Sequence, residues 1–215
     1  MHITPFGPPP AKMLYSFENQ RRLLKEANDY IDRKEAMERL NRGYRKLPAK
    51  SSVWGLSRNF VAGEGPLDAK VVIVGQAPGR NEDSTGRPFI GISGQLLGRL
   101  LKKAGLEREQ VYITSVVQFF PPKNRAPSDS EVEACRRFLY RQLDIVKPKL
   151  VVVVGAVALR ELLNMKGIMK VRGRLIRKDR YYFITLHPAA AIRIKRNMPL
   201  IEGDFRKLKY ALKEL

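Results

Sequence analysis

Apolar residues are distributed in two ways along this chain. Up to about residue 57 they are scattered through a highly charged stretch; from about residue 70 they gather into short β-branched runs separated by amphipathic segments. The runs Lys70–Val74, Val111–Val117, Leu150–Val154 and Tyr181–Thr185 predict four strands, apolar on both faces as in a covered parallel sheet. Helical spacing appears at Ser93–Ala104, Ser128–Val146, Ala156–Leu163 and Gly203–Leu215, and Ser128 with Glu131 forms a capping-box start. Alternating strands and helices predict an α/β protein, a three-layer α/β/α sandwich around a central four-stranded, mostly parallel sheet. Upstream, Leu23, Leu24, Ala27, Tyr30, Ile31, Ala36, Met37 and Leu40 predict one helix or two within Ser16–Arg42, packed on the main domain. Met1–Lys12, with four prolines and one glycine, reads as an extended arm, and Lys46–Ser52 as a basic loop. The expected division is an N-terminal arm and helical extension at 1–57 and an α/β domain at 58–215.

Unusual chemistry follows three of the four strands. The first runs into G-Q-A-P-G at residues 75–79, where Gly75 and Gly79 permit close backbone approach and Pro78 stiffens the turn. The second runs into S-V-V-Q-F-F-P-P-K-N-R at 115–125, and the fourth into H-P-A-A-A-I-R at 187–193. Ligands of open α/β sheets bind outside the carboxyl ends of the strands, so three polar loops at one sheet edge predict a composite site. Phe89, between Pro88 and Gly91, is either a core plug or an aromatic wall of that site.

Charge changes the picture more than size does. The 215 residues carry a net charge of +20, with 44% hydrophobic residues. So large an imbalance raises self-repulsion and points to a polyanionic partner, nucleic acid ahead of an anionic membrane. No apolar run approaches the length of a bilayer span and no signal-peptide core is visible, so a soluble, intracellular protein is expected. Cys135 is the one cysteine and His2 and His187 are the two histidines, which excludes an intrachain disulfide and leaves little for a metal site. The abundance of Lys, Arg and Glu fits a thermophile.

The run V-V-I-V-G-Q-A-P-G-R-N-E-D-S-T-G-R-P-F-I-G-I-S-G-Q-L-L (71–97), with V-Y-I-T-S-V-V, P-P-K-N-R-A-P and H-P-A-A-A-I-R in that order, resembles the uracil-DNA glycosylase superfamily, especially its family four, found in archaea and bacterial thermophiles. The likeness extends from about Phe60 to the C-terminus and leaves the N-terminal region uncovered. It implies a monofunctional DNA glycosylase of base-excision repair, acting as a monomer on DNA that contains uracil or other deaminated bases. A cytoplasmic, nucleoid-associated location follows, and no cofactor is expected.

Three departures stand out. The family's four cysteines hold a four-iron–four-sulfur cluster; here Phe119 stands at the third position, the N-terminal pair has no counterpart, and Cys135 alone remains. Packing by Phe119, Phe120 and Trp54 is expected to fill that space. Gln76 replaces the family's water-activating acid; an amide can hold a water but cannot take its proton. Ser115 replaces an Asn that reads the uracil edge, with Gln118 or Asn124 as stand-ins.

The resemblance implies Gln76 and His187 as catalytic residues, with Gly75, Ala77, Phe89 and Ser115 around the base. Lys123, Asn124, Arg125, Ala190, Ile192 and Arg193 are the expected DNA contacts, Ile192 being the apolar tip of a minor-groove wedge. Glu82 and Asp83 are loop-shaping by default. Arg172, Arg174, Arg177, Lys178 and Arg180 are either a solvated hairpin or a phosphate track. Two alternatives stay open: a lesion-binding protein with attenuated catalysis, favoured by Gln76 and Ser115, and an abasic-site lyase using Lys195 or Lys123. A nucleotide-binding protein fits worst, since neither P-loop nor dinucleotide glycine spacing is present.

Overall fold

The computed structural model describes residues 11–45 and 56–215. In chain order the elements are α1 (Ala11–Arg45), β1 (Val71–Gly75), α2 (Arg80–Thr85), α3 (Ile92–Lys103), β2 (Val111–Ser115), α4 (Asp129–Val146) and β3 (Leu150–Val154). They continue with α5 (Ala156–Leu163), α6 (Ile168–Val171), β4 (Leu175–Arg177), β5 (Tyr181–Thr185), α7 (Pro188–Arg193) and α8 (Met198–Ala211). One sheet has the order β2-β1-β3-β5-β4, parallel except for β4.

The strands bury both faces because each side chain alternation meets a helical layer. Val72, Val74, Val151, Val153, Tyr182 and Ile184 pack with α4, α5 and the C-terminal half of α1. Val71, Ile73, Val152, Val154 and Phe183 pack with α3, α7 and α8 on the other face. Between the layers the β-branched strands provide the stiff, pleated surface that such packing needs. The capping box at the start of α4 is formed, Glu131 N–H donating to Ser128 Oγ at 3.3 Å and Ser128 N–H to Glu131 Oε2 at 2.7 Å.

Five differences from the sequence reading have physical causes. The sheet has five strands, not four: β4 is a three-residue Leu-Ile-Arg segment, too short and too polar to register as an apolar run, and hairpins back on β5. β2 stops at Ser115, although the N–H groups of Val116 and Val117 still donate to the carbonyls of Gly75 and Gln76 at 3.0 and 3.1 Å. α8 starts at Met198 instead of Gly203, because Pro199 fits a first helical turn and Gly203 is tolerated inside. The expected arm ends before Ala11, where α1 begins as one unbroken helix. Only the far part of α1 packs as expected: Leu23, Leu24, Tyr30 and Ile31 are exposed, whereas Met37 and Tyr44 are buried. Arg33 anchors it there by donating to the carbonyls of Leu67 and Val146 at 3.0 and 2.9 Å. Residues 1–10, the Lys46–Ser52 loop and Trp54 lie outside the described residues.

Candidate active site

From β1 the chain steps first to β2 on one side and later to β3 on the other, so strand order reverses at β1. The crevice at such a switch point is where α/β sheets bind ligands. A cavity of about 240 Å³ lies there, lined by Gln76, Ala77, Phe89, Ser115, Asn124, His187 and Arg193 among others. Register explains the convergence: Gly75 pairs with Ser115, so the loops after β1 and β2 leave the sheet side by side. Glycine is required at two strand ends. A Cβ on Gly75 would sit 2.5 Å from the Phe89 ring, and one on Gly155, where φ is +95°, would sit 3.1 Å from His187 Cβ.

Phe89 and His187 form one wall, their rings stacked with centroids 5.6 Å apart. Phe89 is 7% exposed and belongs to the core cluster under α3 while also lining the cavity, so its two readings coexist in one side chain. Its φ of +51° is a strained conformation for a bulky residue, worth of order 1–3 kcal/mol, and persists only where neighbours enforce it. Two side chains do so. Arg108 donates to the carbonyls of Pro88 and Phe89 at 2.6 and 3.0 Å, and is itself held by Glu64. The buried Glu82 carboxylate accepts from the N–H groups of Gly79, Ile90 and Gly91, at 3.1, 2.9 and 2.7 Å, tying the first loop to the turn around Phe89. Arg108 escaped the sequence reading because it lies nearly twenty residues downstream and carries no motif; only the fold brings it back.

His187 caps α7: the Ala189 N–H donates to its Nδ1 at 3.2 Å. An imidazole accepting at Nδ1 carries its proton on Nε2, which is then a donor. Burial pushes its pKa down to about 4, helped by nearby Arg193 and opposed by Glu82. The ring is therefore neutral at physiological pH. The Gln76 side chain lines the cavity and makes no hydrogen bond with a described residue. Ser115 lines it too. Gln118 is fully buried, donates to the Ser115 carbonyl, has no partner for its Oε1 among the described residues and does not line the cavity.

The expected DNA contacts divide. Asn124 and Arg193 line both the cavity and an adjoining groove of about 290 Å³. Ile192 lies on that groove at 40% exposure; Ile92, 69% exposed, lines it too and was not singled out by the sequence reading, which starts the helix at Ser93. Ala189–Arg193 is helix α7 rather than a loop, and Ala190 accepts there from Asn197 Nδ2 at 3.1 Å. Arg125 lines the cavity, but its guanidinium is held by both Glu131 oxygens at 2.8 and 2.6 Å. Lys123 is exposed beside the cavity with φ +56°. The basic cluster is a hairpin: Arg177 pairs with Tyr181, and Lys178 and Arg180 lie at its turn, at the opposite end of β5 from His187. Arg172 leaves that cluster altogether, being bonded to the buried Asp204 at 2.7 Å.

The family model of the uracil DNA glycosylase superfamily matches residues 62–213. The chain belongs to this superfamily. It is 41% identical over 171 residues to the Type-4 uracil-DNA glycosylase of Sulfurisphaera tokodaii, covering 74% of this chain and 78% of that protein. The Type-4 enzyme of Thermotoga maritima is 41% identical over 162 residues, 73% and 84% of the two chains. A Type-5 uracil-DNA glycosylase of Pyrobaculum aerophilum is 38% identical over 118 residues, 48% of this chain and 52% of that one. The protein is thus a DNA glycosylase, and the cavity is its candidate base pocket.

An iron–sulfur cluster of the kind the resemblance implies does not fit these residues. Cys135, the one cysteine of the chain, is fully buried, its thiol pKa raised to about 11 by burial. Tyr44 donates to the Cys135 carbonyl at 3.1 Å and packs against Phe60, Phe119 and Phe138. Of the three expected aromatics, Phe119 belongs to this group of rings, Phe120 does not, and Trp54 lies outside the described residues. Among the described residues no group of three or more His, Cys, Asp or Glu side chains is arranged to hold a metal ion.

Proposed function

We propose that this glycosylase hydrolyses the N-glycosidic bond of uracil in DNA, with the target nucleotide turned out of the helix and its base seated in the cavity beside Phe89. A base within a duplex offers a protein neither its face nor its glycosidic bond, and extrusion costs a few kcal/mol that the pocket must offset. The observation that carries the reading is the convergence of Phe89, His187 and Gln76 on one cavity at the switch point. Phe89 supplies the aromatic wall, with Gly75 leaving room for its ring, Ala77 the close backbone approach, and the Ser115 hydroxyl a contact to the base edge.

The chemistry follows from where charge develops. As the C–N bond breaks, electrons pass to the base, and the Nε2–H of neutral His187 donates to the oxygen on which that charge collects. A donor oriented beforehand stabilises the transition state without reorganising. The sugar is left cationic, and a water held by Gln76 adds to it. Gln76 cannot accept the water's proton; the departed base anion or solvent takes it, so a leaving group of low basicity suits this site.

On the DNA, Ile192 enters the gap left in the stack and Ile92 supports it from the same groove. Asn124, Lys123 and Arg193 contact phosphates, and Arg125, held by Glu131, fixes the loop between Pro121 and Pro127. In this reading residues 58–215 carry the chemistry as a monomer in the cell interior. No helix among the described residues is long and apolar enough to cross a membrane.

Duplexes containing uracil, hypoxanthine or xanthine, incubated with excess protein and then treated with alkali, test the proposal. Scission at uracil is expected, with weaker or no scission at the others; no scission at any lesion overturns it. Gln76 favours one other reading, a lesion-binding protein without turnover, which would show tight binding of uracil DNA and cleavage only in Gln76→Glu. A lyase route has less support, since no lysine among the described residues lines the cavity.

A further inference from the structure

Away from the catalytic cavity, α1 and α4 leave an open trough of about 600 Å³ between them. Its floor is apolar, formed by half-buried Leu40, Phe138 and Ile145. Its rim is cationic: Arg39, Arg137 and Arg141 are exposed and make no ion pair or hydrogen bond with any described residue, and Asp144 is the one acid among the described residues that line it. On the same helices Arg42 faces Glu38, and Arg136 faces Glu133 and Glu161, whereas the three arginines around the trough have no such partner among the described residues.

Gly43 sharpens the point. It lies within α1 on the trough, and a Cβ there would meet nothing within 4 Å. A glycine in a helix interior weakens the helix relative to alanine, so it is normally explained by a close neighbour. Here the neighbour is missing and the space is open.

The charges select the occupant. Residues 1–10 of this chain contain no acid and offer the rim nothing. A second copy brings another +20 of charge to an arginine-lined face. Nucleic acid would satisfy the rim but leave the apolar floor in contact with phosphate and sugar. An amphipathic helix with carboxylates beside its apolar stripe meets both demands, in the helix-in-groove manner, with arginines as strong anchors. The trough also lies on the second half of α4, which runs away from the catalytic edge of the sheet, so a partner seated there leaves the cavity free.

We propose that the trough between α1 and α4 docks a short, acidic, amphipathic helix of a partner protein, its apolar residues resting on Leu40, Phe138 and Ile145 and its carboxylates paired with Arg39, Arg137 and Arg141. The test is selection of a displayed random library of peptides of about 16 residues, roughly four helical turns, on the full-length protein. Binding of the enriched peptides is then measured by fluorescence anisotropy to wild type, Gly43→Leu and Arg137→Glu/Arg141→Glu. Gly43→Leu fills the trough while improving helix propensity, so its fold is not at risk, and uracil excision serves as a control that neither variant changes. Expected are net-negative peptides with apolar residues at i, i+3 or i+4, and i+7, binding at least about tenfold more weakly to both variants. The proposal is overturned if no such peptides are enriched, if they bind Gly43→Leu undiminished, or if both variants instead weaken binding of undamaged duplex DNA.

Discussion

At the scale of the residue, the site replaces titration by orientation. Gln76 has no proton to exchange in the working range, and His187 becomes charged only as pH falls to about 4. The logarithm of kcat/KM for uracil release is therefore expected to be flat from about pH 5 to 9, and Gln76→Glu to introduce an acid limb as its carboxylate protonates. A limb near pH 6.5 in the wild type would contradict the neutral imidazole. His187→Ala should lower kcat about a hundredfold with little change in binding, the loss typical of one oriented donor. The same shift links to stability. With the folded pKa below the ordinary 6.5, the unfolded chain binds the proton first. The contribution is complete above about pH 6.5 and lost on acidification towards pH 4, and thermal melts of wild type and His187→Ala should converge in that window. These residues were legible in the sequence because each stands in a recognisable loop. Arg108 and Ile92 were not, since backbone clamping and exposure are properties of the folded surface.

At the scale of the element, two ties decide how the loops are held. Arg108 leads into β2 and grips the backbone of the turn before α3. Arg108→Ala should release the strained Phe89 and reduce kcat/KM about tenfold or more, because small displacements of positioning groups are amplified in the rate. Steady-state kinetics with uracil duplexes checks this, and unchanged kinetics would assign Arg108 to stability alone. Arg172 joins the segment before β4 to Asp204 on α8, where Thr185 of β5 also donates at 3.0 Å. Arg172→Met leaves a buried carboxylate without its cation and should cost about 3–5 kcal/mol in urea unfolding, with recovery in the double variant carrying Asp204→Asn. Sequence periodicity located the four long strands and most helices because burial on both faces writes a continuous apolar run. It missed β4 and the true start of α8, where pairing and a proline outweigh hydrophobicity.

At the scale of the whole molecule, a charge of +20 surrounds a cavity whose wall is aromatic and neutral. In the proposed reading the charge drives binding and the cavity recognises the base. Affinity for uracil duplexes should fall steeply with salt, and Arg193→Glu should reduce the slope of log K against log salt by about one or more. Lys178→Glu, at the hairpin turn remote from His187, should leave that slope almost unchanged; equal effects of the two would mean that charge acts only in bulk. Composition predicted the polyanion partner but could not distribute the charge. The cationic hairpin turn lies at the opposite end of the sheet from the cavity, and Arg125 and Arg172 are held by carboxylates.

The sequence by itself determined the α/β class, the residue content of the three loops, the single cysteine and the amide at position 76. All of these are written in local patterning or in residue identity. The tertiary structure alone decided that Phe89 is both core and cavity wall, that His187 presents Nε2, and that Tyr44 bonds the Cys135 carbonyl while packing against Phe60, Phe119 and Phe138. The reason is distance along the chain. Register and ring packing join residues tens of positions apart, Gly75 with Ser115 and Phe89 with His187, beyond any local window; the His187 cap spans two residues, but it forms only where α7 turns back on it.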